Sequence, residues 1–391
     1  MCSNLGHKNK AVIDAICEQA KKLPYIAPGF ACDVRAELSK LLLQVLPKGL
    51  EKFFFTTSGT EANEAAIKIA RLFTGKYKII SRYRSYHGST AGSIAATGDL
   101  RRWSAEPAGK IDGVIFAPDT DTYHSPFSPD YPNWGVASAE YVDYMLRNEG
   151  NVAAIMIEPV VGTNGVLVPP KEYLPALREI ADKHGVLLIT DEVMSGWGRT
   201  GEWFAVNHWN VKPDILTTAK GITGAYAPLG ITATTREIAD YFEDHYFAHG
   251  HTYEAHPLTL APAVAAIKEY VRLDLINGAK KKGEYLGKRL NELKDKHESV
   301  GDVRGTGLFW AVELVRNRET RRPFYDSKDK FSGKASPLDK LAADMMARGV
   351  YLLNWLSHFV IAPPLIISQK EIDEGVDALD HSLSISDKEV E

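Results

Sequence analysis

The 391 residues could form two or three domains with a sizeable core, and 45% hydrophobic with 25% charged residues is an ordinary globular balance. Forty-six lysines and arginines against 50 acids leave a net charge of −4, so no overall field draws the chain to nucleic acid or an anionic membrane. The 3 cysteines, Cys2, Cys17 and Cys32, lack CxxC spacing, which argues against a disulfide framework or a structural zinc site.

In chain order, Met1 to His7 lacks the basic-then-apolar form of a signal peptide, and no stretch is apolar over a bilayer's thickness. A cytoplasmic protein without a metal is the expectation. Residues 9–23 place Val12, Ile13 and Ile16 on one face, with Ala20 and Leu23 continuing it, and predict an amphipathic helix. Residues 33–45 predict a second helix, closed by Pro47 and Gly49. From Phe53 to Leu216, short apolar strands then alternate with helical patterns. The expected strands are 52–56, 78–81, 113–117, 153–158, 186–190 and 215–218, and the expected helices are 60–74, 138–148 and 171–184. Runs such as Val186-Leu187-Leu188-Ile189 suit a sheet buried on both faces, and the alternation predicts parallel βαβ units.

Beyond His256 the pattern changes to charged helices over 260–273 and 277–297. Lys280, Lys281 and Lys282 read as a solvated helix face. Strands over 307–314 and 359–362 then mix with helices over 337–347 and 369–382, around a charged surface loop at 317–334. The expected fold class is α/β: a large, mainly parallel-sheet domain over 51–257 beside a smaller α+β domain. Residues 1–50 are expected to be the N-terminal part of the small domain, and 258–391 its linking helices and C-terminal part.

Five segments carry chemistry. In Asp214-Ile215-Leu216-Thr217-Thr218-Ala219-Lys220, a lysine ends an apolar strand. A lone lysine there usually snorkels to water, but one kept buried has a lowered pKa and can condense with an aldehyde. In Ile189-Thr190-Asp191-Glu192 an acid ends another strand, aimed at the crevice where open α/β sheets bind ligands. A helix cap or salt bridge is the commoner role for such an acid. Thr57-Ser58-Gly59-Thr60-Glu61 follows a strand and opens a helix, which suits either a phosphate or an unliganded capping box. Tyr86-His87-Gly88 offers a ring to a flat heterocycle, and Thr252 is a possible phosphate donor.

Together these segments resemble the class III (omega) aminotransferases, a family of fold-type I pyridoxal-phosphate enzymes. The matching stretches are 54–64, 85–88, Glu158-Pro159, Asp191-Glu192-Val193 with 196–201, Ala219-Lys220-Gly221, His251-Thr252-Tyr253 and 362–365, in the family's order across nearly the whole chain. The resemblance implies that Lys220 bonds covalently to pyridoxal 5'-phosphate and moves the proton, and that Asp191 pairs with the pyridine nitrogen. It implies that Ser58, Gly59 and Thr60 hold the phosphate, and that Tyr86, with His87 beside it, and Val193 flank the ring. Glu158 would order the hydrogen bonds around Asp191, Arg199 would fix its own loop, and Thr252 would reach the phosphate of a neighbouring subunit in a homodimer.

The family usually carries several dozen residues ahead of the segment matching Asn4 to His7, where they help shape the substrate entrance. Many members that bind α-carboxylates also have an arginine upstream of the Pro-Pro pair. Here Asn354 stands near that place, leaving His358, Arg84 or Arg101 to receive an acid group. Lys220 to Thr223 with Pro228 to Gly230 is similar to the taurine–pyruvate and β-alanine–pyruvate types. Amino transfer from an ω-amino acid or amine to pyruvate or another keto acid is the expected activity. An aminomutase of the glutamate-1-semialdehyde type or a racemase, and a non-catalytic scaffold, are the alternatives.

Overall fold

The computed structural model describes residues 1–109, 112–127 and 134–391. Helix α1 (Lys10–Lys22) begins where the Asn9 side chain accepts from the Val12 amide, and α2 (Asp33–Val45) buries Val34, Leu38 and Leu42 at four-residue spacing. Both helices pack on a later helix, Pro257–Arg272.

Next come β1 (Leu50–Thr56), α3 (Gly59–Thr74), β2 (Lys78–Arg82), α4 (Ala91–Ala95), α5 (Leu100–Ala105), β3 (Val114–Ala117), α6 (Trp134–Asn148), β4 (Val152–Ile157), α7 (Tyr173–His184), β5 (Leu187–Asp191), β6 (Ile215–Thr218), β7 (Gly230–Thr235) and α8 (Arg236–Asp244). Their strands form one sheet in the order β1-β7-β6-β5-β4-β2-β3. β2 to β6 are mutually parallel, whereas β7 runs antiparallel to both β1 and β6. β4 is buried throughout, as a strand covered on both faces must be.

The parallel strands match the expected alternation, but β7 and α8 were not legible. β7 reads Gly-Ile-Thr-Ala-Thr-Thr, without a bulky apolar pattern. A Cβ at Gly230 would lie 2.2 Å from the Ser58 carbonyl oxygen, so glycine lets β7 start beside the turn that opens α3.

The chain continues through α9 (Pro257–Arg272), α10 (Leu275–Lys296), β8 (Val300–Thr306), β9 (Phe309–Asn317), β10 (Arg322–Pro323), α11 (Ser327–Phe331), α12 (Leu338–Ala347), β11 (Leu353–Trp355), β12 (His358–Ile361) and α13 (Gln369–Asp387). A second, antiparallel sheet has the order β10-β9-β12-β11, with β8 also on β9. The expected loop at 317–334 instead holds β10 and α11, and the Asp326 carboxylate caps α11 by accepting from the Lys328 and Asp329 amides. No helix among the described residues is long and apolar enough to cross a membrane.

Arg199 is 1% exposed, has no ion-pair partner among the described residues, and ties three segments together. It donates to the Leu308 carbonyl at 2.9 Å, the Pro363 carbonyl at 2.6 Å and Asn4 Oδ1 at 2.7 Å. Burial lowers its pKa to about 10. Arg199→Met is expected to cost roughly 3 kcal/mol by stripping buried acceptors of their donor. The check is thermal unfolding followed by circular dichroism, and an unchanged midpoint would contradict the role.

Candidate active site

Because β2, β4, β5 and β6 are parallel, the residues after them emerge at one edge of the sheet, the usual place for a ligand in such a fold. β5 ends in Asp191, which is 3% exposed. Its Oδ2 accepts from Asn63 Nδ2 at 2.7 Å and from His87 Nδ1 at 2.8 Å, while Oδ1 accepts from the Val193 amide at 3.0 Å. Asn63, buried within α3, also donates to the His87 carbonyl at 2.7 Å and accepts from Thr217 Oγ1 at 2.6 Å. Asp191 is therefore held from α3, β6 and the turn after β2. Oδ1, with one donor, retains capacity for another.

Beside Asp191, Glu192 is fully buried, and its carboxylate accepts from Ser195 Oγ and from the Ala205 and Val206 amides. Burial raises its pKa to about 7 against those three donors. It serves the turn after β5 and does not face the crevice groups described here.

Lys220 follows β6 on a single 3₁₀ turn, with φ of 45°. A non-glycine residue in the left-handed region is strained, and such strain clusters at functional sites. Its ammonium has no hydrogen bond or ion pair among the described residues. Burial lowers its pKa, opposed by the charges of Asp191 and then Glu158. The amine is thus a better nucleophile near neutrality than a solvated lysine.

Ser58 caps α3, its Oγ accepting from the Glu61 amide at 3.2 Å. The Ala62 amide goes to the Ser58 carbonyl, while the amides of Gly59 and Thr60 have no hydrogen bond among the described residues, at the positive end of a 16-residue helix. A Cβ at Gly59 would meet Val193 Cγ1 at 2.8 Å, so glycine here brings the helix start against the residue two beyond Asp191.

Glu158, after β4, accepts from the Tyr86 amide at 2.9 Å and the Gly162 amide at 2.8 Å. It makes no hydrogen bond to Asp191, and burial raises its pKa, offset first by His87. Its contacts set the Tyr86 backbone rather than order the bonds around Asp191. His87 sits on Asp191 with Nε2 buried and unpartnered. Thr252 is exposed, its carbonyl accepting from Tyr25 Oη at 3.0 Å, and lies outside this cluster.

One wall is built around Arg101, at the start of α5. Its guanidinium lies 4.0 Å from the Tyr86 ring centroid and 4.6 Å from that of Trp355. Nε and Nη2 both go to Asp99 Oδ2, and Nη2 also reaches Thr163 Oγ1 at 3.2 Å and Asn164 Oδ1 at 3.3 Å. Nη1 has no hydrogen bond among the described residues. The two other candidates for an acid group are engaged elsewhere. Arg84 pairs with Asp121 and donates to the Asn164 carbonyl at 2.8 Å. His358 is buried, donates from Nε2 to the Thr163 carbonyl at 3.0 Å, and is held neutral by a pKa lowered to about 4. Asn354 turns away to Asp339 Oδ1 at 2.8 Å.

The family model for "Aminotransferase class-III" matches residues 1–383. The chain belongs to the class III aminotransferases. This class III chain is 36% identical to a leucine/methionine racemase of Thermococcus litoralis, over 97% of the chain and 84% of that protein. It is 34% identical to a taurine–pyruvate aminotransferase of Bilophila wadsworthia, over 97% of the chain and 86% of the relative. Taurine:2-oxoglutarate aminotransferase from Bifidobacterium kashiwanohense, solved with PLP and glutamate, superposes at TM-score 0.94 with 38% identity, over 100% of this chain and 87% of that one.

Class III aminotransferases depend on pyridoxal phosphate, and the residues here fit it. An unpartnered amine, a carboxylate oxygen with spare capacity and two open helix amides match its aldehyde, ring nitrogen and phosphate. Sequence reasoning missed Asn63, Thr217 and Asn164. Asn63 lay inside a quoted motif, and its position as a polar residue among buried alanines of α3 was the available signal.

Proposed function

We propose that this class III aminotransferase moves the amino group of an acid-bearing amine, such as taurine or β-alanine, to pyruvate or another 2-oxo acid by a ping-pong cycle. The observation that carries the acid-bearing donor is Arg101, whose Nη1 is uncommitted at the edge of the Tyr86 ring system. Relatives named for taurine support the same donor class.

When bound, the cofactor supplies the aldehyde that takes up the donor's nitrogen and a ring that accepts an electron pair. Lys220 Nζ would hold the cofactor and move the proton of the donor carbon. Asp191, held in place by Asn63 and His87, would keep the ring nitrogen protonated. The Gly59 and Thr60 amides, with Ser58, would hold the phosphate, and Tyr86 and Val193 would flank the ring. Glu158 fixes the Tyr86 backbone. In a homodimer, Thr252 would complete the phosphate site of the neighbouring copy. The division into 1–50, 51–257 and 258–391, and residence in the cytoplasm, belong to the same proposal. The two separate sheets and the free cysteines support them.

The test is a donor panel of taurine, β-alanine, 4-aminobutyrate, ornithine and a simple alkyl amine against pyruvate. In Arg101→Met, kcat/KM for taurine or β-alanine is expected to fall about 10- to 100-fold, the value of a charge-assisted hydrogen bond, with the alkyl amine changed less than about threefold. A wild-type enzyme that does not favour acid-bearing donors would overturn the substrate reading. The 36% identity to a racemase makes racemisation the rival outcome. Inversion of leucine or methionine without consumption of a 2-oxo acid would establish it instead.

A further inference from the structure

We propose that Asn164 is the positioning residue for acid-group recognition, acting by fixing the Arg101 guanidinium where the two sheets meet; this rests on the reading of Arg101 above. Arg101 presents two of its nitrogens to one oxygen, Asp99 Oδ2. Two donors on a single acceptor atom form a pivot, because the guanidinium plane can swing about that oxygen while keeping both contacts. A two-oxygen fork would have fixed the plane. The Tyr86 and Trp355 rings limit the tilt of the guanidinium but leave rotation within its own plane, so a further contact must set that angle.

Asn164 is placed to do so. It is 3% exposed, and its side-chain amide is engaged on both sides. Nδ2 donates to the same Asp99 Oδ2 at 2.8 Å and to the Arg84 carbonyl at 2.9 Å. Oδ1 accepts from Arg101 Nη2 at 3.3 Å and from Trp355 Nε1 at 3.0 Å. One amide therefore holds the pivot oxygen, the swinging guanidinium and the indole against which that guanidinium stacks.

The backbone around Asn164 is itself clamped from the turn after β2 and from the second sheet. Arg84 Nη2 donates to the Asn164 carbonyl, and His358 of β12 to the carbonyl before it. Arg304 of β8 donates to the carbonyl after it, that of Gly165, at 2.5 Å. Trp355 belongs to β11, so Asn164 Oδ1 joins the small sheet directly to Arg101. Arg101 Nη1, the nitrogen left for a substrate acid, is aimed only while this joint holds. Thr163 Oγ1 at 3.2 Å from Nη2 is a further contact, but a hydroxyl on one flexible bond does not fix the plane.

The experiment measures kcat/KM of the holoenzyme for taurine and for a simple alkyl amine with pyruvate, and takes their ratio. It compares wild type, Asn164→Ala, Arg101→Met and the double variant. Asn164→Ala is expected to lower the ratio about tenfold, mainly through KM for taurine, with the alkyl amine serving as a control for folding. In the Arg101→Met background the same change is expected to alter the ratio less than about twofold, because its effect passes through Arg101. Where the alanine variant does not fold, Asn164→Ser, which keeps one hydrogen-bonding group, is expected to shift the ratio in the same direction by less. An unchanged ratio in a folded Asn164 variant, or an equal fall for both donors, would overturn the proposal. So would full additivity with Arg101→Met. If Arg101→Met itself leaves the ratio unchanged, the Arg101 reading fails first.

Discussion

Lys220→Ala is expected to lower the rate of the first half-reaction by at least about 10³-fold, the upper range for losing a positioned proton-transfer group. Lys220 sits in a strained backbone conformation with its amine unpartnered and its pKa lowered by burial. Lys220→Arg should fare no better, because a guanidinium is neither nucleophilic nor deprotonated near neutrality. The conversion of cofactor from aldehyde to amine form, followed by absorbance after mixing with donor, is the readout. An alanine variant within tenfold of wild type would contradict the assignment.

Asp191→Asn is expected to slow the same half-reaction by about 10²- to 10³-fold, the scale for removing one charge aimed at a reacting group. The change is nearly isosteric, so the fold and the phosphate end are expected to survive. Asn63 Nδ2 and His87 Nδ1 both donate to Oδ2, which obliges an asparagine to turn its oxygen toward them. Its NH₂ would then meet the Val193 amide, donor against donor, and would donate to an unprotonated ring nitrogen, the weaker electron sink. Cofactor retention measured by absorbance, with the half-reaction rate, checks this. A loss below threefold would mean that the carboxylate is not tuning the ring.

The two groups at the centre were legible because each ends an apolar strand, and parallel strands bring their carboxyl ends to one edge. The acid-group candidates were less legible. Arg84, Arg101 and His358 look alike as cationic residues in sequence, and only burial and partners separate them. Asp121 and the Asn164 carbonyl take both terminal nitrogens of Arg84, and the Thr163 carbonyl engages a neutral His358, whereas Arg101 Nη1 has no hydrogen bond among the described residues. Asn164 could not be found by any local pattern, since its partners lie 63 to 191 residues away in sequence. β7 escaped for another reason. Its Thr-rich composition reflects close passage by α3, with Thr232 donating to the Ala62 carbonyl at 2.8 Å, rather than the bulky packing that marks a core strand.

The most direct test begins with the purified protein saturated with pyridoxal phosphate, reduced with borohydride, digested and mapped by mass spectrometry. A single stable pyridoxyl group on the peptide bearing Lys220 is the result expected. Label confined to other lysines, or none at all, would contradict the placement of this amine at the centre of the chemistry.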